Sequence, residues 1–278
     1  MTTQSFSVIG FDSAWTDKPE APGAVCVIHS NEAGDVSFRE PELASFAQAL
    51  TAIDSERSIS RMCLVSIDQP TIVPNVTSLR PVDRVTGSLI SWIGGGVQPA
   101  NRSKMGMFDD DAPIWRFKEN LAAIENPEQA RHATDGTYVM EVFPALALAG
   151  INADYCVRLG GPRYNPARRK TFEISHWKSV VNLVTDFGAR LDVHDLKSWC
   201  DEQLQLERPR KADQDKLDAV ICALIGLHWK IAPRHQSVMI GDLSTGYMVA
   251  PALNGVHERL KTKGRETGVP IDGVLPAQ

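Results

Sequence analysis

Asp12 closes an apolar run, Ser7-Val8-Ile9-Gly10-Phe11-Asp12, and Asp68 closes a second, Met62-Cys63-Leu64-Val65-Ser66-Ile67-Asp68. Asp215 and Asp218 stand three apart at the start of a long apolar segment that runs to Ile225. Residues three apart on a helix project within about 60° of each other at ~3.6 residues per turn, so both can address one site. Carboxylates gathered at the ends of buried segments repel one another and lose hydration. A divalent cation removes both penalties. An all-oxygen ligand set suits magnesium or manganese, and two such ions about 3.5–4 Å apart stabilise both the attacking and the leaving oxygen in phosphodiester hydrolysis. The expected metal ligands are therefore Asp12, Asp68, Asp215 and Asp218.

Each acid also has a plainer reading. Asp12 and Asp68 can be strand-end caps bonded to loop amides. Asp215 can be an exposed acid in a helix's first turn, favoured by the macrodipole. Asp213 fits an N-cap better than a ligand. Glu141 lies inside the apolar stretch Thr137 to Phe143, where an unpaired acid is costly. It is a further ligand, a general base, or one half of a buried ion pair.

A basic segment carries Arg158, Arg163, Arg168, Arg169, Lys170 and Lys178 against a single acid, Glu173. With Tyr164, Phe172 and Trp177 between them, these residues can grip a phosphate backbone and stack on unpaired bases. A solvated helix face accounts for them equally well. Arg84, Arg102 and Lys104 are alternative phosphate contacts. Asp109 to Asp111 read as a solvated turn and Gly94 to Gly96 as a flexible one.

Other chemistries find no footing. The chain has no GxxxxGK[ST], HExxH or GxSxG motif, and no CxxC pair. Its five cysteines are odd in number and scattered, which fits a reduced, cytoplasmic setting. A net charge of -5 argues against a surface made to bind long nucleic acid non-specifically. No apolar run approaches the ~20 residues that span a bilayer. The N-terminus lacks the basic region of a signal peptide, so none is expected.

The elements that must position the acids follow from periodicity. Residues 6–12 read as a buried strand, and 24–28 and 36–39 as a hairpin around Asn31 to Asp35. An amphipathic helix is expected from Pro41 to about Ile53, then a buried strand at 62–68 stopped by Pro70. If strands 6–12 and 62–68 pair in parallel through that helical crossover, Asp12 and Asp68 fall at one sheet edge, where ligands bind in open α/β sheets. Residues 71 to about 136 form a long excursion. A fifth strand ends at Pro144, a short helix begins at Ala145, and the clearest helix spans about 213–229. Residues 238–250 suggest a second hairpin.

This order of elements and acids resembles the ribonuclease H-like nuclease fold. The segment Asp215-Lys216-Leu217-Asp218-Ala219-Val220 resembles the helix motif of Holliday-junction resolvases in that superfamily. Gly10 to Trp15, Ile67 to Pro70, Arg80 to Arg84, Glu141 to Pro144 and Lys211 to Ala219 resemble Domain of Unknown Function 429, a family of predicted nucleases with that fold, over roughly residues 6 to 250. Ribonuclease H's acid on the first helix has no match here, so the resolvase arrangement is the nearer template.

The resemblance implies an α/β fold with a mixed five-stranded sheet, a three-strand meander plus parallel strands, flanked by helices. The domain spans 1–253 with an insertion at about 71–136, and 254–278 form a polar tail. Asp12, on the central strand, is the expected bridging ligand, with Asp68 and Asp218 completing one ion's shell each. The expected activity is a metal-dependent nuclease with catalytic Asp12, Asp68, Glu141, Asp215 and Asp218. Its substrate is single-stranded or structured nucleic acid, RNA included, and resolvase-like enzymes are often homodimers. The alternatives are an actin-like ATPase or phosphotransferase, which requires a duplicated core, and a non-catalytic nucleic-acid-binding module.

Overall fold

β1 (Phe6–Asp12) alternates its side chains between two cores. Ile9 and Phe11 enter one apolar cluster, while Val8 enters another on the opposite face. Gly10 and Asp12 share the face of Val8. The computed structural model describes residues 4–274. Met1 to Thr3 and the last four residues, including the end of the expected tail, lie outside the described residues.

β2 (Gly23–Ser30) and β3 (Val36–Ala44) follow β1 in an antiparallel meander. β3 runs further than the sequence reading, which began a helix at Pro41. Pro41 is tolerated because β3 is an edge strand, and the pairing with β2 shifts register between Val25 and Val27. Helix α1 (Phe46–Ile59) starts only after Ser45, whose hydroxyl accepts the Gln48 N–H while the Gln48 side chain accepts the Ser45 N–H. β4 (Met62–Ile67) then pairs in parallel with β1, Phe11 opposite Ile67.

The excursion holds α2 (Pro81–Trp92), α3 (Pro113–Leu121) and α4 (Pro127–His132) before β5 (Gly136–Glu141) adds to β4 in parallel. The sheet order is β3-β2-β1-β4-β5, the expected mixed five-stranded sheet. α5 (Pro144–Ile151), α6 (Ile174–Arg190) and α7 (Leu196–Leu204) lead to α8 (Lys211–Ile231). α1 and α3 cover the Phe11 face, with Phe46, Ile53 and Phe117 in its core. α8 covers the other. The hairpin β6 (Ser237–Asp242) and β7 (Gly246–Pro251) closes near the end of β5 through a Val142–Val249 bridge. Among the described residues no helix is long and apolar enough to cross a membrane.

Residues 254–267 correct the expectation of a tail. They form helix α9 (Asn254–Thr267), which buries Val256, Leu260 and Gly264 and ends on Gly268 at φ 69°. Three buried positions four apart make a narrow stripe on an otherwise polar helix, too weak a pattern to separate from a solvated segment. The Arg259 guanidinium lies 3.9 Å from the Trp92 ring centre on α2, a cation–π contact.

One glycine sets the approach of α8. A Cβ on Gly10 would overlap the Ala219 carbonyl and the Ala223 amide, both backbone atoms of α8. Gly10→Ala is therefore expected to destabilise the fold by about 1–3 kcal/mol through overpacking. Gly255→Ala on α9, where a Cβ meets nothing within 4 Å, is the control. Urea denaturation of both variants checks this, and equal midpoints would refute the close-approach argument.

Candidate functional site

Asp68 follows β4 directly, and its N–H donates to the Phe11 carbonyl at 2.9 Å, so the parallel register carries on one residue past the strand. Asp12 and Asp68 thus leave adjacent strands at the same edge. Asp12 is buried and faces the start of α8, where Asp215 and Asp218 are also buried. Asp68 is half-buried.

The electrostatics of the carboxylates reflect how close they come. Burial pushes the Asp12 carboxyl well above its usual range, and the charges of Asp218 and Asp68 push it further. Asp68 is raised in the same way, by burial first and then by Asp218 and Glu141. Asp218 rises to about 6, burial outweighing the groups that favour its charged form. Those groups are the Tyr164 hydroxyl, donating at 2.7 Å, the Gln214 amide, donating at 2.5 Å, and Lys211. Three acids on three elements therefore share one low-dielectric neighbourhood.

Lys211, on the first turn of α8, is the cation these acids share. Its ammonium pairs with Asp215. Desolvation works to lower its pKa, but Asp12 and Asp215 outweigh that and hold it raised. Asp213 is not the N-cap: Arg210 is, and the Asp213 carboxylate accepts the Arg210 N–H at 2.7 Å. Asp215 is buried and paired rather than exposed at the helix start.

Among the described residues no group of three or more His, Cys, Asp or Glu side chains converges closely enough to hold an ion as the side chains stand. The donor chemistry of Asp12, Asp68 and Asp218 fits a hard divalent cation, being all oxygen and short of positive charge.

Glu141 has its two oxygens taken by Arg80, at 2.6 and 2.8 Å, and it also accepts the Thr71 N–H at 3.0 Å. Of the three readings open from sequence, this is the buried ion pair. Arg80, fully buried, also pairs with Asp83 at 2.7 Å. The sequence reading used Arg80 and Asp83 only as motif residues; nothing in an Arg-Pro-Val-Asp string reveals that the arginine turns inward.

The basic residues separate. Arg163 and Arg168 are exposed at a cavity of about 440 Å³ that also borders Asp68 and Asp218. Arg169 and Lys170 are exposed but do not line it, and neither do Arg84, Arg102 or Lys104. Arg163 pairs with Glu173 at 3.0 Å, while Arg102 pairs with Asp110 and lies 4.8 Å from the Trp115 ring centre. Trp177 is buried in the core, and Tyr164 is largely buried although it lines the same cavity. Tyr164 is a ligand of Asp218, and burial followed by that charge drives its phenol pKa well up. Phe143 lines the cavity as well. A second, wider cavity lies against Arg234, His257 and Asp272 and shares no lining residue with the first.

The model of a family described as a protein of unknown function, DUF429, matches residues 10–237. The chain belongs to this family. Asp12, Asp68, Arg80, Glu141, Tyr164, Lys211 and Asp218 all fall inside the matched stretch, while β7 and α9 lie beyond it. No curated protein and no solved structure matches the chain.

Proposed function

We propose that this protein is a metal-dependent phosphodiester hydrolase, a nuclease acting on single-stranded or structured nucleic acid in the cytoplasm. One observation carries the reading: Asp12, Asp68 and Asp218 arrive from three elements, the charge of Asp218 raises both Asp12 and Asp68, and Lys211 is the cation that offsets all three. Natural folds do not keep such a cluster without a compensating charge or a use for it. Asp12, Asp68 and Asp218 would hold magnesium or manganese, which supplies Lewis-acid stabilisation of the phosphate and an activated water at neutral pH. Lys211 neutralises part of the cluster and holds Asp215. Arg163 and Arg168 attract the phosphate to the mouth of the cavity. Arg80 engages both oxygens of Glu141 and so keeps it out of the reaction. Free cysteines, four of the five buried, agree with a reducing compartment.

A second reading has its own support. Asp218 is already satisfied by Tyr164 and Gln214, as a non-catalytic nucleic-acid-binding module would allow. Manganese titration calorimetry separates the two, together with cleavage of a labelled single-stranded oligonucleotide. The native protein is expected to bind manganese and to cleave. Asp12→Asn and Asp218→Asn are expected to lose at least about 10–100-fold in metal affinity, the scale of disturbing a metal's supporting groups. Native protein that neither binds manganese nor cleaves would leave the binding-module reading standing.

A further inference from the structure

We infer that the cavity beside Asp68 and Asp218 is a pocket for one unpaired nucleoside, held with its neighbouring phosphate between the two arginines and the carboxylates. The inference rests on the hydrolase reading for its phosphate and deepens it by naming what the site selects. Its volume, about 440 Å³, lies in the range that encloses one small ligand. A length of strand does not enter such a space; a single base turned out of a stack does.

The lining matches a heterocycle. Ile90, Ile93, Phe143 and Leu148 supply apolar walls, and Gln214 and Asn165 supply polar groups among them. Base faces are apolar and stack on aromatic rings, while base edges carry N–H groups. Gln214 points to the same class of ligand. It is 7% exposed, and its Oε1 is buried with no hydrogen-bond partner. The orientation of the amide is fixed, because Nε2 donates to the Asp218 carboxylate and the reversed amide would set two oxygens against each other. A buried acceptor without a donor is costly to leave unmade. Every nucleobase offers an N–H on its pairing edge, so this acceptor recognises the class rather than one base. Exposed Arg163 and Arg168 at the same cavity give the attached phosphate its charge partners.

The free volume at Gly96 allows a clean test. Gly96 lines the cavity, its φ is not positive, and a Cβ built there meets nothing within 4 Å. Gly96→Leu and Gly96→Trp thus add bulk at the cavity lining without pressing on backbone. Binding of adenosine, cytidine, guanosine and uridine is measured by ligand-observed NMR in EDTA, where no metal contributes. Native protein is expected to bind all four, and the two variants to weaken binding in order of side-chain size, Trp by at least about ten-fold, equivalent to 1.4 kcal/mol. Their thermal midpoints are expected to match the native one. A single-stranded oligonucleotide is then compared with its copy lacking one base. A ten-fold or so penalty assigns the nucleoside to a strand, and no penalty alongside tight binding of mononucleotides assigns it to a free nucleotide. Absence of nucleoside binding by the native protein, or binding undiminished in Gly96→Trp, overturns the pocket. Nucleoside binding without metal-dependent cleavage overturns the hydrolase reading and leaves the pocket intact; cleavage without nucleoside binding does the reverse.

Discussion

Arg80→Met is expected to destabilise the protein by about 3–5 kcal/mol, the loss found when one partner of a buried ion pair is removed. All five N–H donors of Arg80 are engaged. Nη1 donates to Glu141 at 2.8 Å and to the Ile72 carbonyl at 3.0 Å. Nη2 donates to Glu141 at 2.6 Å and Asp83 at 2.7 Å, and Nε donates to Asp83. Removing the guanidinium strands two carboxylates, each about 1% exposed. Burial already pushes the Glu141 carboxyl up to about 7 against the pull of Arg80, so the variant takes up a proton there at neutral pH. Lysine is not expected to rescue, because it lacks the planar fork that serves two carboxylates. Adding Glu141→Gln and Asp83→Asn to Arg80→Met is expected to regain part of the loss. Urea midpoints at constant slope measure all three. A loss below about 1 kcal/mol, the level of an exposed pair, would show that the triad does not tie α2 to β5.

The second large effect is a reversed pH dependence of stability in the metal-free protein. Asp218 titrates near 6 in the folded state against an ordinary 3.8. Between those values the folded protein holds more protons than the unfolded chain. Stability therefore rises as pH falls through that window and is lost as pH rises past 6. A shift of this size in one buried group corresponds to about 3 kcal/mol. Asp12 and Asp68 are raised in the same direction, so they add to the slope. In EDTA the native protein is expected to unfold at lower urea near pH 8 than near pH 5.5, in the sense linkage requires. Asp12→Asn is expected to flatten the difference and to be more stable than native at the higher pH. Manganese is expected to stabilise only the native protein there. A native stability that climbs from the acid to the alkaline condition would contradict a compressed acidic cluster.

Much of the fold was legible because each signal was local and strong. The apolar runs ending at Asp12 and Asp68 specified buried parallel strands, and the stripe from Leu217 to His228 specified α8. Where signals were weak or competed, the reading slipped. Pro41 looked like a helix start, but strand pairing carried β3 through it to Ala44. α9 has only a narrow apolar stripe, so its burial depends on α2 supplying a surface to cover it. The site residues divide in the same way. Acids at strand ends can be counted along a sequence, whereas partners such as Tyr164 and Arg80 are joined to them across 54 and 61 positions.

By itself, the sequence determined which residues are acidic, which segments are apolar, and in what order they come. That was enough for the mixed sheet and for the edge at which Asp12 and Asp68 emerge, because pleat and crossover handedness leave few alternatives. Tertiary structure alone decided how the charges are shared. It gave Glu141 to Arg80 and Asp218 to Tyr164, whereas Lys211–Asp215 and Gln214–Asp218 are pairs four apart on α8. It also opened the cavity at Phe143 and Gly96 and turned Trp177 into core. Pairing among charges depends on distance and on the depth of burial, and for Arg80 and Tyr164 both arise only when segments remote in the chain pack together.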